Sequence, residues 1–169
     1  MTRFRLRNGT FVLIRPIRAT DKDLLAAGHA RLSEETIRRR FLAAKPRLTS
    51  TDLRYLTEVD GHNHVAFVAV LEDAPEQMVA VGRFVRLAGE PEAAEFAIVI
   101  ADALQGQGLG SHLGELLADA ARERGVRRFT ATTLSDNVVI RRVFGSISRR
   151  LVAERSQGAT RELVAELAA

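Results

Sequence analysis

The chain has 169 residues, 46% apolar and 27% charged, with a net charge of +4 and no cysteine. That length suits one core and leaves no room for a second full domain, and the composition is that of an ordinary globular chain, which excludes disorder and membrane spanning. Without thiols there are no disulfides, zinc–thiolate sites or cysteine nucleophiles.

Residues 1–169 are therefore read as a single domain. Lys22 and Lys45 are the only lysines, so arginine carries the positive balance. Arg38, Arg39 and Arg40 follow Glu34 and Glu35, and Arg122 and Arg124 flank Glu123. Such mixing reads as paired or solvated helix faces, so a nucleic-acid partner is not favoured. Met1-Thr-Arg-Phe-Arg5 lacks the apolar run of a secretory signal, and no apolar stretch is long enough to cross a membrane. The expected location is the cytoplasm.

In chain order, Leu6-Arg-Asn-Gly-Thr-Phe-Val-Leu-Ile14 carries Asn8-Gly9 between apolar runs, which predicts a hairpin with a two-residue turn and positive φ at both positions. Thr20-Asp21 opens a helical pattern through Leu24, Leu25, Gly28 and Leu32. Ser33-Glu-Glu opens a second, with Ile37 and Phe41, that stops before Pro46. Thr49-Ser-Thr-Asp52 fits a capping box for a third short helix. Three extended segments follow, Val65 to Leu71, Met78 to Val85 and Ala94 to Ile100, separated by turns of hairpin length. Leu109, Leu113, Leu116, Leu117, Ala120 and Ala121 then mark an amphipathic helix closed by Gly125. A strand over Arg128 to Leu134, a helix from Asn137 to about Arg149, and short strands around Leu151–Glu154 and Glu162–Leu167 complete the pattern.

The implied fold is α/β (α+β): a mixed, mostly antiparallel sheet with helices on both faces and one parallel crossover, from the strand at Ala94–Ile100 to the strand at Phe129. Strands part where such a crossover leaves a sheet, and a ligand cleft opens there. The crossover begins with Leu104-Gln-Gly-Gln-Gly-Leu-Gly-Ser-His-Leu113, which has glycine at 106, 108 and 110. A glycine-rich strand-to-helix loop lets backbone amides approach a phosphate at the positive end of the helix. The dinucleotide spacing G-x-G-x-x-G fails because Ser111 stands where a glycine is required, and no lysine precedes Ser111 to make a P-loop.

The spacing that fits is Gln105-x-x-Gly108-x-Gly110, after a strand and opening a helix. It resembles the acyl-CoA pyrophosphate loop of the GNAT superfamily of N-acetyltransferases. Leu6-Arg-Asn-Gly-Thr10, Ile14-Arg-Pro-Ile-Arg18, Arg31-Leu-Ser-Glu-Glu-Thr36 and Ala94-Glu-Phe-Ala97 extend the likeness to the acetyltransferase domain of bacterial protein lysine acetyltransferases of the Pat type. The resemblance implies that acetyl-CoA is the cosubstrate and that the backbone of Gln105, Gly106, Gln107, Gly108, Leu109, Gly110 and Ser111 cradles its pyrophosphate. It implies further that the main chain of Ala97, Ile98 and Val99 pairs with the pantetheine arm, and that Asn137 stands beside that arm. Asn137 would serve equally as a helix cap.

Acetyl transfer to an amine needs the amine neutral, and a lysine of pKa about 10.4 is well under 0.1% neutral at pH 7. A general base is the main requirement. Glu95, ten residues before Gln105 in an otherwise apolar strand, is the catalytic candidate, and burial is expected to raise its pKa. The resemblance puts the catalytic glutamate at the same position. One departure concerns the thiolate's general acid, since Phe144 stands where many family members carry a tyrosine. Tyr55, the only tyrosine, is read as a packing residue, and His29 as a residue on a helix face. His62 and His64 lack a third ligand nearby, so no metal is expected.

The expected activity is direct acetyl transfer to an amine, with a protein lysine as acceptor. A small-molecule amine is the alternative acceptor, and an acyl-CoA-binding regulatory module of weak activity is the alternative class. A homo-oligomer stays open.

Overall fold

The computed structural model describes residues 1–168, with the backbone alone described for 150–153. The chain runs β1 (Thr2–Arg5), β2 (Phe11–Pro16), α1 (Lys22–Ala30), α2 (Glu34–Phe41), α3 (Ser50–Thr57), β3 (His64–Leu71), β4 (Met78–Leu87), β5 (Glu90–Ile100), α4 (Leu109–Glu123), β6 (Arg128–Leu134), α5 (Val138–Ile147), β7 (Ser148–Gln157) and β8 (Thr160–Leu167). One eight-stranded sheet has the order β1-β2-β3-β4-β5-β6-β8-β7. Every neighbouring pair is antiparallel except β5 and β6.

Local chemistry fixes the helices as read. Ser33 Oγ accepts from Thr36 N at 3.2 Å to cap α2. Thr49 and Asp52 close a reciprocal capping box on α3. Alternation along β4 then divides the core. Val81 packs with Leu25 of α1 and Leu56 of α3 on one face. Phe84 packs on the other with Leu117 of α4 and Phe144 of α5. Helices therefore cover both faces, and the face under α1 to α3 also carries Arg83 and, on β5, Glu95 and Val99.

Two readings are corrected. The first hairpin has positive φ at Gly9 alone, 91°. Gly9 N donates to Leu6 O, and Asn8 Oδ1 accepts from Thr10 N, so a type I turn followed by a left-handed glycine replaces the two-residue turn. The last helix ends at Ile147, where Ser148 turns extended, and β7 is correspondingly longer than the segment around Leu151–Glu154. His29 lies on α1 as read, on its buried side, with Nε2 2.7 Å from Lys45 O, so it ties α1 to the segment before α3.

Candidate active site

β5 and β6 pair in parallel only at Ala93–Arg128, Ala94–Phe129 and Glu95–Thr130. Beyond Glu95 the strands diverge, and the cleft between them is bordered by Ala97 and Ile98 on one side and by Thr132, Thr133 and Asn137 on the other, with a volume of about 200 Å³. Ala97, Ile98 and Val99 remain paired with Arg83, Gly82 and Val81 of β4. Half of a strand's backbone groups point to each neighbour, so β5 retains groups directed into the cleft where the β6 ladder has ended. Asn137 caps α5 by accepting from Ile140 N at 3.4 Å and also borders the cleft, so the two readings of this residue are compatible.

The glycine loop lies at the far end of β5. Gly106 and Gly108 have φ of 74° and 91°, values that a side chain strongly disfavours. Arg7, from the first hairpin, binds the carbonyl side of this loop through its N to Gln107 O and its Nη1 to Gly106 O, each at 3.2 Å. Gln105 Nε2 donates to Ile100 O at 3.0 Å and to Thr36 Oγ1 at 3.2 Å, fastening the loop to β5 and α2. α4 starts at Leu109 with no side-chain cap and no acid in its first turn. Its first N–H groups, including those of Leu109, Gly110 and Ser111, are thus free of intrahelical partners and stand at the positive end of a 15-residue helix, an arrangement that suits an anion. Gly110 packs closely against β5, where a Cβ would lie 3.0 Å from Ile100 Cδ1.

Glu95 borders the cleft together with Arg40 and Leu42 of the α2 terminus. The expectation of a buried Glu95 is corrected, because the carboxylate is exposed. It faces the cleft beside the end of α2. Behind it, Arg83 is 3% exposed, and its Nη1 lies 2.9 Å from both Leu56 O and His64 Nε2. Burial, with the neighbouring charge of Arg40, pushes the Arg83 guanidinium down to about 9, so it stays cationic at neutral pH. Burial likewise lowers Arg40, opposed by the attraction of Glu95. Burial and the Arg83 charge push the His64 imidazole down to about 4.

Phe144 is 1% exposed and meets Phe96 edge-on at 5.5 Å, so it belongs to the core beneath β5 and donates no proton. Tyr55 is 57% exposed beside His64, which corrects its reading as a packing residue. α2 is tied across the cleft by ion pairs from Arg38 and Arg39 to Asp136, at 3.9 and 3.6 Å. Arg7 and Arg83 were not singled out by sequence, and Arg40, expected to be paired or solvated, borders the cleft. For Arg83 the usable signal was the one that flagged Glu95, a lone charge inside an apolar strand. Among the described residues no cluster of three or more potential metal ligands occurs, and no helix is long and apolar enough to cross a membrane.

Comparison with known proteins bears on the family and the fold. The sequence profile described as "Acetyltransferase (GNAT) family" matches residues 30–146. Acetyltransferase Pat of Mycolicibacterium smegmatis is 34% identical over 150 residues, which is 89% of this chain and 44% of that protein. The chain thus spans less than half the length of that relative. The crystal structure of the GNAT domain of S. lividans PAT superposes with a TM-score of 0.85 at 30% identity, covering 98% of this chain and 96% of that one. A Salmonella typhimurium protein solved with its cofactor acetyl-CoA shares the fold, with a TM-score of 0.71 at 18% identity over 93% of this chain and 94% of that one.

Proposed function

Because the chain belongs to the acetyltransferase (GNAT) family, we propose that it holds acetyl-CoA along β5, in the cleft towards β6, and passes the acetyl group directly to an amine, with a protein lysine as acceptor. The observation that carries this reading is the alignment of two features on one strand. β5 loses its β6 partner after Glu95, and it leads to an uncapped helix start behind a left-handed glycine loop. An extended chain ending in a pyrophosphate requires both. Acetyl-CoA in a structure of the same fold supports the identity of the cosubstrate, and the similarity to Pat supports the lysine acceptor.

The thioester supplies an activated acyl carbon. The amine nitrogen forms a bond to it, the C–S bond breaks, and the thiolate leaves with the electron pair. Glu95, exposed to the cleft, takes the proton that the amine loses, directly or through one water. Backbone N–H groups of β5 beyond the β6 ladder are the available donors for the carbonyl oxygen. No side chain is assigned to protonate the thiolate, since Phe144 is in the core. A thiol of pKa near that of cysteine, about 8.5, departs adequately as thiolate.

That same burial of Phe144 favours a second reading, an acyl-CoA-binding module of weak turnover. Incubation with acetyl-CoA and a panel of proteins and amines, read by thiol release and mass spectrometry, separates the two. Amine-dependent thiol release that Glu95→Gln abolishes supports the enzyme. Tight acetyl-CoA binding without transfer, and indifference to Glu95→Gln, supports the module.

A further inference from the structure

A second cavity, of about 50 Å³, lies beneath α1, α2 and α3 against β4 and β5, on the same sheet face as Glu95. Its walls are largely apolar, with Leu25, Phe41, Leu56, Met78 and Val81 among them. Its charged lining is Arg31, Arg40 and Arg83, and among the described residues no carboxylate borders it. A buried guanidinium at an apolar space with no carboxylate in its lining, as for Arg83, is an unfavourable arrangement that an anion would relieve.

The three are not equivalent. Arg31 is exposed and donates from Nη2 to Met78 O at 3.3 Å. Arg83 is 97% buried, and its Nε and Nη2 have no partner among the described residues. These two atoms form the side-on fork of a guanidinium, which matches the two oxygens of a carboxylate. The same pair of atoms performs that task elsewhere in this chain, where Arg3 Nε and Nη2 donate to the two oxygens of Glu72 at 2.7 and 3.0 Å. Arg40 borders both this cavity and the β5–β6 cleft, so the two spaces meet at its side chain.

We propose that the cavity is a carboxylate-recognition subsite for the acceptor, in which the Nε and Nη2 edge of Arg83 holds a carboxylate, Arg40 flanks it, and the attached amine is presented to Glu95. This rests on the acetyltransferase reading of the site. Arg83 pairs across the strands with Ala97, two residues along β5 from Glu95, so the anchor positions are diagonal neighbours about 7–8 Å apart. That span suits an amine and a carboxylate several bonds apart better than an α-amino group beside its own carboxylate. The cavity holds about four water-sized groups, enough for a carboxylate and a short aliphatic stem. The carboxylate belongs either to a free ω-amino acid or to an acidic residue beside a target lysine.

Two substrate series test the subsite. In one, 4-aminobutyrate and 5-aminopentanoate are compared with their uncharged amides. In the other, lysine peptides flanked by Glu are compared with the same peptides flanked by Gln. The acid form is expected to have at least tenfold higher kcat/KM in one series, which also identifies the source of the carboxylate. Arg83→Met is expected to bring acid and amide within twofold of each other while leaving the KM for acetyl-CoA within twofold. Because Arg83 is buried and the variant could fail to fold, pentanoate and pentanamide are also compared as additives in thermal unfolding of the wild-type protein without acetyl-CoA. Pentanoate alone is expected to raise the melting temperature. Equal kcat/KM for acid and amide in both series, with no shift by pentanoate, overturns the subsite even if acetyl transfer proceeds. Absence of acetyl-CoA binding and turnover overturns the acetyltransferase reading instead, and the pentanoate comparison then decides the subsite alone.

Discussion

At the scale of single residues, the proposed site depends on two charges set into apolar strands, Glu95 on β5 and Arg83 on β4. Glu95→Gln removes the proposed proton acceptor and keeps a side chain of the same size at an exposed position. Turnover is expected to fall by about 10²–10⁴-fold with acetyl-CoA affinity unchanged, as steady-state kinetics and calorimetric titration would show. The position of Glu95 was legible as a charge in an apolar run. Its exposure was not, because it follows from where α2 ends and β6 departs, which are tertiary facts. His64 provides a pH test of the same cluster. Its native pKa, pushed down to about 4 by burial and Arg83, lies below the 6.5 of an unfolded histidine. Between those values only the unfolded chain takes up the proton, so this contribution is complete above pH 6.5 and is lost as pH falls towards 4. The loss amounts to about 3 kcal/mol. Urea unfolding at pH 4.5 and 6.5 should therefore show a smaller difference for His64→Gln than for the wild type.

At the scale of elements, close packing of α4 explains glycines that no turn requires. A Cβ on Gly114, within α4, would lie 2.6 Å from Val143 Cγ1 of α5. Helix propensity alone favours Gly114→Ala by up to about 1 kcal/mol. Overpacking outweighs this, so the variant is expected to be less stable by about 1–2 kcal/mol in chemical denaturation. Val143→Ala opens space at that contact, and the double variant should be more stable than the sum of the two single losses predicts. The amphipathic period of α4 was legible in sequence, as were the caps of α2 and α3, because each depends on neighbours three or four residues away. The end of α5 was not, because Ser148-Arg149-Arg150 follow Ile147 with no glycine or proline to mark the end of a helix. The first hairpin was read as a hairpin but with the wrong turn, since Asn8-Gly9 suits both the two-residue turn and the type I turn with a left-handed glycine.

At the scale of the whole molecule, the order of strands and helices was sufficient to imply the mixed sheet, the single parallel crossover and the cleft beside it. Connection lengths and handedness leave few other ways to lay those elements down. The chemistry of the acceptor side was not legible, because α1, α2, α3, β4 and β5 contribute to it from segments as far apart in sequence as Leu25 and Val99. The central claim is that the β5–β6 cleft holds acetyl-CoA and that Glu95 draws the proton from the acceptor amine. It is tested most directly by measuring thiol release from acetyl-CoA, with and without amine acceptor, in wild type and Glu95→Gln, alongside thermal unfolding of both with acetyl-CoA added. The account predicts release that requires the acceptor and falls at least 100-fold in Glu95→Gln, while acetyl-CoA raises the melting temperature of both proteins, by about 2.7 kcal/mol of stability at 100 times its Kd. No rise in the wild-type melting temperature, or release that is indifferent to Glu95→Gln, would contradict it.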